Sequence, residues 1–151
     1  ATEHLTAIFA EWMWRHPEAL AGAEPRLQTL WLWHSAEESE HRSTAFDMYQ
    51  ALEGSYRWRI KLFRYITLTF LADVTRQTIR NLWQDKALFQ WSTWRSGWSF
   101  LMSKDGMFRG SYSQWRAYLK PDFHPRQQDG SLSEQWLENH RDQFTPVGQA
   151  A

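Results

Sequence analysis

No cysteine occurs in the 151 residues. That excludes disulfides, thiolate metal sites and a cysteine nucleophile, and it leaves nitrogen and oxygen as the donors for any bound ion. Glycine and proline are sparse, at seven and five, so long segments run without breakers and an all-α architecture is expected. Net charge is also lacking. The 17 Lys and Arg are balanced by 17 Asp and Glu, which argues against a nucleic acid or an acidic substrate as partner. No signal peptide precedes the first apolar periodicity. The longest uninterrupted apolar stretch, around Tyr65 to Ala72, falls far short of the roughly 20 residues that span a bilayer. A cytoplasmic location is expected. There is no internal repeat, glycine-rich phosphate loop or Gly-x-Ser-x-Gly elbow.

What the chain has in excess is aromatic side chains, with 11 Trp, nine Phe and five Tyr. Such residues are costly to expose in numbers. They imply either a bulky core or a large apolar surface for a substrate, a partner or lipid. At 151 residues a single helical domain over residues 1–144 is expected, with a tail at 145–151. Periodicity and breakers predict helices over about 1–15, 26–53, 56–84, 87–103, 106–119 and 131–144. Pro25 suits a first helical turn and Gly54 a left-handed cap. Ser131-x-x-Glu134 has the pattern of a capping box. Trp91, Trp94, Trp98 and Leu101 share one side of a helix, as a core stripe does; with Arg95 nearby, an interfacial helix has the same look.

The stretch from Trp31 to Tyr49 carries the chemistry. At helical spacing one face reads Leu27, Leu30, Trp31, His34, Glu38, His41, Ala45, Met48, Leu52, the pattern of a buried stripe. Its middle is polar. A carboxylate buried without a partner costs several kcal/mol, so a core-facing Glu between two His calls for a cation or a full set of hydrogen bonds. At about 100° per residue His34, Glu38 and His41 fall within an arc of roughly 60°. Glu38-x-x-His41 is the i, i+3 pair on which di-iron and di-manganese proteins build sites within four-helix bundles. Glu37, at the edge of that face, can orient a ligand imidazole. A solvated or hydrogen-bonded polar seam is the alternative. On the first helix Glu3 shares a stripe with Ala7, Ala10 and Trp14, which suggests a second inward carboxylate, or else a favourable acid in a first helical turn. His124, between Phe123 and Pro125, is either a ligand or a packing histidine.

Three motifs, Glu3-His4-x-Thr-Ala, Trp33-His34-x-x-Glu37-Glu38-x-Glu40-His41 followed by Ala45-Phe46-Asp47-x-Tyr49, and Pro121-x-Phe123-His124-Pro125, resemble the family of predicted metal-dependent hydrolases, a ferritin-like group. The resemblance implies a ferritin-like bundle with a carboxylate and histidine di-metal site. Its members carry a further N-terminal half with another Glu helix and another Glu-x-x-His helix, and nothing in this chain matches that half. The helix of Glu3 also starts without a cap, so the chain is expected to be a C-terminal half, half of the four-helix metal bundle plus additional C-terminal helices. Two copies paired about a two-fold axis are the other way to complete the site. His34, one turn before Glu38, is similar to the added histidine of the di-iron arylamine N-oxygenases, so O₂-dependent oxidoreductase chemistry stands beside hydrolysis.

The ligands expected are therefore Glu3, His34, Glu38 and His41. Glu37 is the candidate catalytic residue, orienting a ligand imidazole or serving as general base in hydrolysis. Two divalent ions are expected, iron first, with manganese or zinc as alternatives. The helices from Tyr56 to Leu119 are expected to cover the site and shape a pocket for an apolar or aromatic small molecule. A non-enzymatic aromatic-rich interaction or membrane-surface module is the remaining alternative.

Overall fold

The computed structural model describes residues 1–143; the expected tail at 145–151 and the last residue of the expected helix 131–144 lie outside them. The elements are α1 (Thr2–Arg15), α2 (Pro25–His41), α3 (Thr44–Ala51), α4 (Tyr56–Gln84), α5 (Trp91–Met102), α6 (Met107–Ala117) and α7 (Ser131–Asn139), with short 3₁₀ turns at Pro17–Leu20, Pro125–Gln127 and Arg141–Gln143. No strand occurs among the described residues, and the fold is all-α.

α1 stops where His16 leaves helical geometry (φ −132°) before Pro17. The His16 ring stacks on Trp12 at 4.4 Å, and its Nδ1 lies 2.9 Å from the Trp12 carbonyl oxygen, at one of the carbonyls the helix end leaves open. α2 starts with Pro25 in its first turn. Thr6 meets Glu38 and Met13 meets Ser35, so α1 and α2 run antiparallel.

The face that α2 turns inward is not the one the hydrophobic pattern favours. Ser35 and Ala36 are buried and Leu32 and Ser39 half-buried, while Leu27, Leu30, Trp31, His34, His41, Ala45, Met48 and Leu52 are exposed. Small side chains decide this. Ala7 and Ala10 are buried on α1 as Ser35 and Ala36 are on α2, and small side chains at a helix crossing let two backbones approach closely.

The single helix expected over 26–53 is broken at Arg42 and Ser43. Arg42 donates to the carbonyls of Gln128 (2.9 Å) and Asp129 (3.4 Å), tying the break to the C-terminal loop. α3 restarts with a carboxylate from another helix at its N-terminus, since Glu3 Oε2 accepts from the Ala45 N–H at 3.3 Å. At its far end Glu53, not Gly54, takes the left-handed conformation (φ 54°). Gly54 is required by proximity, because a Cβ there would run into the Tyr49 ring, whose hydroxyl donates to the Ser55 carbonyl at 2.8 Å.

α4 opens with a true cap, the Ser55 hydroxyl accepting from the Trp58 N–H at 3.3 Å. α5 begins at Trp91 rather than near 87, because the Ala87 and Leu88 N–H groups turn back onto the Leu82 carbonyl after Lys86 adopts φ 57°. The capping box expected at Ser131 is replaced. Asp129 Oδ1 accepts from the Ser131 N–H at 2.9 Å, and Gly130 is the N-cap of α7.

The core is small and aromatic. Leu5, Phe46, Phe63, Tyr118 and Phe123 form it, drawn from α1, α3, α4 and the segment after α6. Arg59 is buried beside them, its guanidinium 5.2–5.3 Å from the Phe46, Tyr56 and Tyr118 ring centroids. It donates to the Lys120 carbonyl at 2.6 Å and the Phe123 carbonyl at 3.4 Å, so one cation fastens the 120–125 segment onto α4. The Trp stripe of α5 is not core: Trp91, Trp94 and Trp98 are exposed and α5 has no buried residue. Among the described residues no helix is long and apolar enough to cross a membrane.

Candidate functional site

The seam between α1 and α2 holds the acidic residues of the central motif. Glu38 Oε2 accepts from the Thr6 hydroxyl at 2.6 Å. Thr6 Oγ also lies 3.1 Å from the Glu3 carbonyl and 3.4 Å from that of Thr2. A hydroxyl has one proton, and the short bond to an ionised acceptor claims it. Thr6 therefore fixes one carboxylate oxygen of the Glu38-x-x-His41 pair against α1. Its position is legible in the sequence, three residues after Glu3 on the same side of the helix.

His34 stands beside this carboxylate. Its Nε2 is 3.6 Å from Glu38 Oε1 and its Nδ1 is 3.8 Å from Glu37 Oε2. Both are ion-pair separations, too long for hydrogen bonds. Half of the His34 side chain is open to solvent, against 27% for Glu38. His41, the last residue of α2, is exposed. Glu3 sits at the same end of the seam, with an oxygen engaged at the start of α3. The fold thus gathers Glu38, His34 and Glu37 beside Thr6 and keeps His41 outward. Among the described residues no three His, Asp or Glu converge so as to hold a metal ion. Of the set expected to face inward, His34 and His41 are exposed beside Leu27, Leu30 and Trp31, while Glu3 and Glu38 are half-buried.

His124 is a packing residue with an ionic partner. Its Nε2 is 2.8 Å from Asp47 Oδ1, and its ring stands on edge against Phe46 at 5.1 Å. Arg126 donates to Asp47 Oδ2 at 2.7 Å, and the Arg126 N–H donates to His124 Nδ1 at 3.2 Å. Asp47 thereby joins two of the three motifs quoted above, a role that spacing alone does not reveal, since 77 residues separate Asp47 from His124.

His4 lies deeper. It is 2% exposed and stacks on Tyr118 at 4.7 Å, with Phe123 and Phe63 at 5.0 and 5.6 Å. Its Nε2 is 3.2 Å from the Gln114 carbonyl oxygen, and Nδ1 is buried without a partner. Burial, against the pull of the Gln114 carbonyl, lowers its pKa to about 4. It is a neutral core histidine.

An apolar cavity of about 310 Å³ lies among Leu5, Ile8, Phe9, Phe70, Phe108 and Trp115, between α1, α4 and α6. On α1 its wall is Leu5, Ile8 and Phe9, and neither Glu3, Thr6 nor any acidic residue of α2 lines it. This cavity therefore does not open on Glu38.

Over residues 1–129 the chain matches the family described as predicted metal-dependent hydrolase. No curated protein and no solved structure matches it.

Proposed function

The chain belongs to the predicted metal-dependent hydrolase family, and from that premise we propose that the α1–α2 seam is one half of a ferritin-like di-metal site in a hydrolytic enzyme. The observation that carries this reading is the 2.6 Å bond from Thr6 to Glu38. It holds a motif carboxylate in a fixed direction across the α1–α2 seam, which a merely solvated acid does not need. Glu3, His34, Glu38 and His41 are the proposed donors, and Glu37 the proposed base. With no cysteine in the chain, the donor set is nitrogen and oxygen, which suits iron or manganese ahead of zinc.

The donors of one chain do not fit a complete metal site, because no three of them converge. The reading therefore requires further donors on the outward face of α2. A second helical half of a longer polypeptide, or a second copy of this one, would supply them. Leu27, Leu30 and Trp31, each about half exposed, give that face an apolar frame of the kind an interhelical contact covers. An apolar or aromatic substrate acting in the cytoplasm belongs to the same reading.

Elemental analysis of the full-length protein, together with its mass in solution, tests the proposal. Bound divalent metal is expected in the wild type and its loss in Glu38→Ala and in His41→Ala, with helix content unchanged. Equal metal content in all three would overturn it. Anaerobic loading with Fe(II) followed by exposure to O₂ separates the chemistries: metal-dependent ester or amide cleavage without O₂ is expected, and O₂ consumption with an oxo-bridge absorption band would assign an oxygenase instead.

A further inference from the structure

α4 is anchored by its first half, where Arg59 and Phe63 are buried, Trp115 donates to Thr67 at 3.1 Å and Phe70 stacks on Phe9 at 5.6 Å. Beyond that point the bundle ends and the helix continues. Every residue from Ala72 to Asn81 is exposed, and the 13 residues from Ala72 to Gln84 extend about 20 Å. This projecting part is not polar all round. Leu68, Leu71, Ala72, Ile79, Leu82 and Trp83 recur at helical spacing on one face, with Leu68 69% and Trp83 65% exposed. The turn that follows presents Phe89 (86% exposed), and α5 presents Trp91 (79%) and Trp98 (68%).

Charge is distributed in the same place. From Tyr56 to Lys104 there are nine Lys and Arg against two acids, Asp73 and Asp85, in a chain that has 17 of each. All nine but Arg59 are exposed. Four of the nine, Arg57, Arg59, Lys61 and Arg64, lie on the anchored half of α4; the arm itself, from Ala72 to Met102, carries Arg76, Arg80, Lys86 and Arg95 against the two acids, a net charge of +2 in a neutral chain, beside the exposed Trp83, Phe89, Trp91 and Trp98. Interleaved Trp, Phe, Lys and Arg on a helix that does not span a membrane is the chemistry of a bilayer interface. Aromatic rings settle at headgroup level, the aliphatic face reaches the acyl boundary and the cations meet anionic headgroups.

We propose that the arm formed by the distal half of α4 and by α5 docks this protein on an anionic lipid bilayer. A nucleic acid would leave Leu68, Leu71 and Ile79 uncovered, since bases stack on rings and phosphates pair with cations. A second copy placed arm to arm would set positive charge against positive charge. None of the contacts described for Glu38, His34 and Glu37 involves a residue of this arm, so attachment does not draw on them. It stands or falls apart from any metal chemistry.

Co-sedimentation of the full-length protein with vesicles of neutral phosphatidylcholine, or of phosphatidylcholine with about 30% phosphatidylserine, tests this. Sedimentation with the anionic vesicles, a blue shift of Trp emission and release by salt are expected. Trp91→Ser/Trp98→Ser and Arg76→Glu/Arg80→Glu should each weaken partitioning about tenfold or more, since one basic residue near such a surface contributes roughly fivefold. Melting temperatures should not move, because these side chains are exposed. Three outcomes would overturn the proposal: no sedimentation with anionic vesicles, sedimentation indifferent to both double variants, or retention by an RNA oligonucleotide with none on vesicles. So would a dimer in solution that the Trp91→Ser/Trp98→Ser variant dissolves, with vesicle binding absent.

Discussion

His4 makes the acid stability of the fold predictable. Its ring is enclosed by Phe63, Tyr118 and Phe123, and it is 2% exposed. With Nε2–H donating to the Gln114 carbonyl, the second proton must go onto Nδ1, which is buried with no acceptor near it. Burial holds the pKa at about 4 instead of 6.5, and the charges of Arg42 and Arg59 act in the same direction. Between those two values the unfolded chain binds a proton that the folded chain refuses, so stability falls as pH drops from about 6.5 to about 4 and is flat above. At 1.36 kcal/mol per pKa unit the full loss is about 3 kcal/mol, most of it spent by pH 4.5. Urea unfolding of wild type and His4→Phe at pH 7.5, 5.5 and 4.5 measures it. The Phe variant keeps the aromatic packing and has nothing to protonate. Relative to the variant, the wild-type midpoint should drop by about 1 M urea at pH 4.5, taking a slope near 2 kcal/mol per M. Parallel pH profiles for the two proteins would refute the reasoning, because carboxylate titration is common to both.

Four further outcomes follow from named contacts. Arg59→Met should cost about 3 kcal/mol in urea unfolding by leaving the Lys120 and Phe123 carbonyls unpaired, and Arg59→Lys should not restore it, since an ammonium cannot reproduce the guanidinium fork. Asp47→Asn, at a partly exposed pair, should cost about 1 kcal/mol and hasten limited proteolysis between Lys120 and Gly130, the segment that His124 and Arg126 fasten. Ala36→Leu, at a position with no exposure, should destabilise by about 2 kcal/mol by forcing α1 and α2 apart, read as a lower melting temperature. Thr6→Val should lower metal affinity about tenfold with little change in melting temperature, and Thr6→Ser should recover it.

The segmentation into helices was legible because its signals are local. Pro17 and Pro25 bound the first connection, Ser55 caps α4, and the scarcity of breakers leaves 29 residues of unbroken helix from Tyr56 to Gln84. The Glu38-x-x-His41 pair and His34 were legible for the same reason, since their spacing is a property of one helix, and the family was legible from three short motifs each of which is local. The break at Arg42 and Ser43 was not, because what holds it is distant. Arg42 is drawn to Gln128 and Asp129, and Glu3 caps α3 from 42 residues away.

By its sequence alone this protein was committed to an all-α fold, to nitrogen and oxygen donors, and to a Glu-x-x-His pair one turn after a histidine. Periodicity and hydrophobicity offered one stripe on α2, the one with Leu27, Leu30 and Trp31. Tertiary packing buried another, centred on Ser35 and Ala36, against α1, whose Thr6 and Met13 meet Glu38 and Ser35. That choice turned His34 and His41 outward. The same small core left α5 and the end of α4 uncovered, with Trp83, Phe89, Trp91, Trp94 and Trp98 exposed, a placement that composition reports only as totals.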